Sequence, residues 1–310
     1  MNPFKFGQIV KESNFCTRPE LEKKLSNEIK RGQNVYIQGE RRTGKSSLII
    51  ETVRKLKKQR IIYVDLLEIK TSYDFLKRVV TSVISIGHST GVLNRVFQKL
   101  SHLRPVASID PLSGMPTLTL DSSVQLNPDS IPGILDLISS YQLKTKPLVV
   151  VFDEFQDILN LKDADETLAQ LRSKIQFQSD IPFLFAGSVR NRMDHIFNAP
   201  DSPFFKSAIP IQVGSLDKEL FQKFIVDKFK SGKRTISSKV MNPIFELCFD
   251  VAGDIQQLCG ALWDLTSQGD ILLEEQIPLA LKQVFAHESK GYETILKILS
   301  SQQLKLLSGL

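Results

Sequence analysis

Little in this 310-residue chain suggests a stapled or membrane-embedded protein. It has only three cysteines, Cys16, Cys248 and Cys259, and no two of them are spaced as C-x-x-C. An odd count without that spacing indicates neither a disulfide framework nor a zinc site, so buried free thiols in a reducing compartment are expected. No apolar run approaches the roughly 20 residues that span a bilayer. The start, Met1-Asn-Pro-Phe-Lys-Phe-Gly7, lacks the charged, apolar and small-residue segments of a secretory leader. A cytoplasmic protein without a membrane partner is therefore expected. Charge bias is also slight, with 40 Lys and Arg against 34 Asp and Glu, a net of +6. That excess tolerates an anionic partner, nucleic acid included, but does not demand one.

What the chain does have is Gly39-Glu40-Arg41-Arg42-Thr43-Gly44-Lys45-Ser46, a full G-x-x-x-x-G-K-[ST] phosphate loop, followed by Ser47. The apolar run Asn34 to Gln38 reads as a buried strand, and Ser46 to Lys58 as a helix, which is the context this loop requires. Gly39 and Gly44 let the backbone curl, so that successive N–H groups and a helix N-terminus converge on phosphate oxygens. In this arrangement Lys45 meets the β- and γ-phosphates, and the Ser46 hydroxyl ligates Mg²⁺. The densest basic run, Arg54 to Arg60, then falls at the helix C-terminus, where cations complement the dipole.

Strand-like runs recur at Ile61 to Asp65, Leu148 to Phe152, Ile181 to Ala186 and Ile209 to Val213, the last with a Pro that suggests an end or an edge. Helical patterns from Ser72 to about Ile86 and from Val92 to Leu103 lie between them. The expected fold is α/β, a doubly wound parallel sheet over residues 1–214, with a β-hairpin insertion at about 105–121 marked by Pro and Gly between alternating arms. A disordered linker is the other reading of that insertion. From Ser215 on, strands are not expected. Asp217 is a helix cap before Leu220, Phe221, Phe224, Ile225 and Phe229; Asp254 similarly precedes Ile255, Leu258, Leu262 and Leu265. Further helices are expected near 238–250, 273–287 and 292–299, giving an all-helical domain over 215–290 and a further segment at 291–310.

The run Leu148 to Phe152 ends in Asp153-Glu154, two acids at the carboxyl end of a parallel strand, where ligand crevices form. Asp153 is placed to reach the Mg²⁺ shell, and Glu154 to orient and deprotonate a water attacking the γ-phosphate. The next strand ends in Ala186-Gly187-Ser188, which brings a hydroxyl to the same edge.

Taken in order, Phe15-x-x-Arg18-x-Glu20-Leu21, the phosphate loop, Phe152-Asp-Glu-Phe-Gln156 and Ala186-Gly-Ser188 resemble the archaeal-type ATPases of the AAA+/STAND group, with an Orc/Cdc6-like core. The resemblance implies the ASCE arrangement of the sheet, ATP as ligand and Mg²⁺ as cofactor. It places Phe15 and Arg18 beside the adenine, Asp153 on the metal, Glu154 as the base and Ser188 as sensor 1. It also makes the helical part a lid and residues 291–310 the start of a winged-helix module. The chain departs from the pattern at Lys206, where relatives usually carry Arg, and at Gly253-Asp254-Ile255, which lacks the Pro or His common in lids. A slow ATPase that acts as a nucleotide-controlled switch is expected, with ATP and ADP as ligands, a protein partner, and nucleotide-dependent self-association. The alternatives are a DNA-binding initiator of the Orc/Cdc6 kind and a nucleotide-locked scaffold.

Overall fold

The computed structural model describes residues 1–85, 105–109, 116–120, 130–142 and 146–309. They fall into two compact units, Thr17–Gly214 and a second made of Met1–Cys16 with Ser215–Leu310. The chain leaves the first unit where the sequence changes texture. The first sixteen residues, however, join the helical unit rather than the α/β domain. Their anchors are apolar and polar at once: the Phe4 ring lies 5.0 Å from that of Phe229, and Lys228 Nζ donates to the Pro3 carbonyl and Asn14 Oδ1.

In the first unit the elements run α1 (Pro19–Lys30), β1 (Val35–Gln38), α2 (Lys45–Lys55), β2 (Arg60–Asp65) and α3 (Ser72–Ser85). There follow β3 (Pro105–Ile109), β4 (Pro116–Leu120), α4 (Ile131–Ser139), β5 (Leu148–Asp153), α5 (Ala164–Ile175), β6 (Phe183–Gly187), α6 (Arg190–Asn198) and β7 (Ile209–Gln212). The expected helix over 92–103 lies outside the described residues. Strands β3 and β4 pair antiparallel, with Pro105 opposite Leu120, as the hairpin pattern predicts. The other five make one parallel sheet in the order β2-β5-β6-β1-β7. Strand β7, with Pro210, is an edge, because a residue without an N–H cannot serve two neighbours.

All six residues of β5 are buried, the signature of a strand covered on both faces. Alternation divides them. Leu148, Val150 and Phe152 join a core with Ile62 and Val64 of β2, Phe183 and Phe185 of β6, and apolar residues of α3 to α6. Val149, Val151 and Asp153 therefore face the opposite side, as does Tyr63 of β2. On the first face Phe152, Phe155, Phe185, Phe197 and Phe204 stack edge and face within 6.0 Å of a neighbouring ring. Each such buried ring contributes about 1.5–3 kcal/mol. This core sets the strands in register and so aligns their carboxyl ends.

Helix α2 stops at Lys55, earlier than the apolar period suggests, because Lys57 turns to a positive φ of 56°. Arg54 then pairs with Glu51 of its own helix and Lys55 with Glu22, so two charges of the basic run are spent within the unit.

The second unit contains α7 (Lys218–Ser231), α8 (Ser238–Leu247), α9 (Ala252–Asp264), α10 (Ile277–Ile298) and α11 (Ser301–Ser308). The Asp217 carboxylate accepts from Leu220 N, the expected cap. Three expectations change. Helix α9 begins after Val251, so Asp254 sits in its first turn instead of capping it. The two helices expected over 273–299 form the single helix α10, since the intervening Gly291 costs only about 1 kcal/mol inside a helix. Two short strands also occur, β8 (Thr235–Ile236) and β9 (Ile271–Leu272), paired parallel. Phe221, Ile225, Phe229, Ile255, Leu258, Leu262 and Trp263 fill this unit's core, and Cys16, Cys248 and Cys259 lie in it, buried and outside any disulfide.

Candidate functional site

Strand β1 carries the chain into the loop 39–44 and β5 carries it to Asp153, with β6 lying between them in the sheet. Gln38 is paired with Gly187, and Phe152 with Phe185, so the loop, the acidic pair and Ser188 all emerge at one sheet edge. This juxtaposition of three motifs more than a hundred residues apart in part is a product of strand order alone.

Two glycines shape the loop. A Cβ on Gly39 would meet the Val213 carbonyl oxygen at 2.2 Å, so only glycine permits this approach of the loop to the chain after β7. Gly44 has φ 89°, the left-handed conformation that turns the loop into α2. The first turn of α2 contains no acid, which keeps the positive end of its dipole available to an anion. Within the loop, Thr43 Oγ1 donates to the Glu40 carbonyl at 2.8 Å, and Arg42 takes a positive φ of 64°. Glu40, Arg41 and Arg42 are exposed on its outer rim, while Thr43, Lys45 and Ser47 are buried.

Lys45 Nζ donates to the carbonyls of Gly39 and Glu40, at 2.9 and 2.8 Å. An ammonium has three N–H groups, so one remains for a phosphate oxygen. Burial lowers the Lys45 pKa from its ordinary value, opposed by the nearby carboxylates of Glu154 and Asp153. An added negative charge at this position would relieve that cost.

Asp153 collects three donors. Its Oδ2 accepts from the Ser46 hydroxyl at 2.5 Å and from the Tyr63 hydroxyl, and its Oδ1 accepts from the Glu154 backbone N–H at 3.0 Å. The sequence does not single out Tyr63, because an aromatic in a β-branched run reads as core. Desolvation first, and then the Asp153 carboxylate, push its pKa up, so the phenol stays a donor. The Ser46 and Asp153 side chains thus converge, although no group of three or more His, Cys, Asp or Glu able to hold a metal occurs among the described residues. A hydroxyl and one carboxylate suit Mg²⁺, which keeps waters and phosphate oxygens in most of its six positions.

Glu154 is in the left-handed region, φ 50° and ψ 41°, strain of order 1–3 kcal/mol for a residue with a Cβ. The conformation aims its carboxylate across to β6. Glu154 Oε2 accepts from the Ser188 hydroxyl and from Gln156 Nε2, both at 2.7 Å. Gln156, 1% exposed, also accepts from Ser188 N at 3.3 Å, so a buried amide ties the acid to the neighbouring strand. No spacing rule singled out Gln156, since its role depends on the fold of the short helix after β5.

Phe15 and Arg18, both expected beside the adenine, have these surroundings. Phe15 is buried and belongs to the helical unit. Arg18, 8% exposed, directs its guanidinium to backbone: Nη2 donates to the Thr43 carbonyl and Nη1 to that of Gly214, both at 2.8 Å. Lys206 is exposed, with its Nζ 5.1 Å from the Phe205 ring centroid.

No protein-family model and no curated protein matches the sequence. Solved structures do match its fold. A Walker-type ATPase of Pyrococcus abyssi superposes with a TM-score of 0.67 at 17% identity, over 95% of this chain and 78% of that one. The chain has the fold of archaeal P-loop ATPases. The Orc1 protein of Aeropyrum pernix, solved in complex with DNA, gives a TM-score of 0.61 at 12% identity, over 96% and 72% of the two chains. The ADP form of the Orc2 protein from the same organism gives 0.55 at 14%, over 90% and 71%. These likenesses agree with the five-stranded parallel sheet and helical C-terminal region, and no helix among the described residues is long and apolar enough to cross a membrane.

Proposed function

We propose that this chain binds ATP with Mg²⁺ and hydrolyses it slowly, and that nucleotide state switches its conformation, with the helical unit as lid. The observation that carries the reading is the convergence of Lys45 and Ser46 with Asp153, and of Glu154 with Ser188, at one edge of the sheet.

In this reading the loop N–H groups from 39 to 46 and the free N–H of Lys45 hold the phosphates. Ser46 and Asp153 would hold Mg²⁺, which would supply Lewis-acid neutralisation of phosphate charge. Glu154 orients the attacking water and takes its proton at Oε1, while Ser188 and Gln156 fix Oε2. Lys206, exposed and unable to form a bidentate fork, argues for slow turnover. That feature also favours the nucleotide-locked scaffold as second reading.

Identification by mass of nucleotide released on denaturing the purified protein, followed by steady-state phosphate release with and without Mg²⁺, tests the proposal. Adenine nucleotide and Mg²⁺-dependent phosphate release are expected. Retained ADP without turnover selects the scaffold, and failure to bind any nucleotide refutes both. A DNA-binding role, suggested by the Orc1 likeness and the +6 charge, requires duplex affinity that falls steeply with salt.

A further inference from the structure

We infer that Tyr63 is a positioning residue for the cation site: it holds the Asp153 carboxylate in the orientation that faces Ser46. The inference rests on the nucleotide reading above and deepens it.

Tyr63 and Asp153 are on adjacent parallel strands. The register pairs Tyr63 with Val151 and Asp65 with Asp153, so Tyr63 and Asp153 are diagonal neighbours two residues apart. Alternation puts both side chains on the same face, since Ile62, Val64, Val150 and Phe152 all point into the aromatic core on the other one. A phenol is long enough to cross that diagonal, and its hydroxyl donates to Asp153 Oδ2. The same oxygen accepts from the Ser46 hydroxyl. Both lone pairs of Oδ2 are thus engaged, one by the loop residue and one by β2, while Oδ1 is engaged by the Glu154 N–H. The carboxylate is held from three sides, by three different segments of the chain.

Ser46 is the member of this set that would itself ligate a cation, through its oxygen. Its O–H proton stays available to Asp153 while the oxygen ligates, so Tyr63 is the side-chain donor of this set whose sole part is to fix Oδ2. Phenylalanine at position 63 would keep the ring, and hence the packing, but remove that restraint. Outer-sphere hydrogen bonds to ligating carboxylates are worth about 10–100-fold in metal affinity. The phenol is suited to the task because it has a single donor and a rigid ring, so its hydroxyl cannot swing away as a Ser or Thr hydroxyl can.

The test is Mg²⁺-dependent binding of a fluorescent N-methylanthraniloyl ATP to the full chain, in the parent, Tyr63→Phe, Asp153→Asn and the double variant. Tyr63→Phe should raise the Mg²⁺ concentration for half-maximal binding by about 10-fold or more. Its affinity for the same nucleotide in EDTA should match the parent, which also reports that the loop is folded. In the Asp153→Asn background the Tyr63→Phe change should have no further effect, since the two act through one carboxylate. An unchanged Mg²⁺ dependence in Tyr63→Phe overturns the inference. So does an equal shift in both backgrounds, which would make Tyr63 a packing residue. If the parent itself binds no nucleotide, the nucleotide reading falls and takes the inference with it, an outcome distinct from a parent that binds with Mg²⁺ while Tyr63→Phe behaves identically.

Discussion

Replacing Arg18 by alanine separates two accounts of this residue, one in which it contacts nucleotide and one in which it holds the phosphate loop. Its guanidinium makes 2.8 Å hydrogen bonds to the carbonyls of Thr43 and Gly214, and the side chain is buried. A hydrogen bond from a charged donor contributes about 1.5–3 kcal/mol, so the pair together represents ~3–6 kcal/mol. Water can reach the Gly214 carbonyl once the side chain is gone, which reduces the expected loss to roughly 2–4 kcal/mol. For a folding unit of this size each kcal/mol moves the midpoint by about 2–4 °C, so thermal unfolding should occur roughly 5–15 °C lower. The assay is calorimetry or circular dichroism on nucleotide-free protein, where a residue that touched only nucleotide would have no effect. Arg18→Lys should recover part of the loss, because one ammonium can reach a carbonyl but cannot fork between two. An unchanged midpoint with weakened ATP binding would refute the loop-holding account and return Arg18 to the base of the nucleotide.

Lys45→Ala should abolish measurable ATP binding, checked by equilibrium titration; equal affinity would remove the phosphate-loop assignment. In the parent, ATP affinity should fall as pH rises through a value below the ordinary lysine range, because burial lowers the Lys45 pKa and the neutral amine has no charge to offer. The folding contribution has the opposite sign: in the window between the lowered native pKa and the ordinary one, the unfolded chain binds more protons, so this group makes stability rise with pH. Glu154→Gln should keep ATP binding and stop turnover, read as single-turnover phosphate release; an unchanged rate excludes Glu154 as the base. Lys206→Arg should accelerate hydrolysis only where the protein self-associates, and a rate in Lys206→Ala equal to the parent at every concentration would make Lys206 an ordinary surface lysine.

The sequence by itself determined the local elements and the chemistry they could carry. The phosphate loop was legible because its glycines, lysine and serine lie within one short motif, and the Lys45 contacts to Gly39 and Glu40 are short-range. Strands β1, β5 and β6 were legible because burial on two faces leaves unbroken apolar runs, and Pro210 marked β7 as an edge. The tertiary structure alone decided which side chains share an oxygen. The sequence assigns no role to Tyr63 or Gln156, yet the register of β2 on β5 and the short helix after β5 bring them to Asp153 and Glu154. Arg18 was noticed for its place in a motif, but its partners, Thr43 and Gly214, are 25 and 196 residues away, a distance over which no periodicity informs. The assignment of residues 1–16 to the helical unit was hidden for the same reason. Phe4 buries itself on Phe229 and Trp263, and hydrophobic burial depends on the area covered, not on the order in which the chain supplies it.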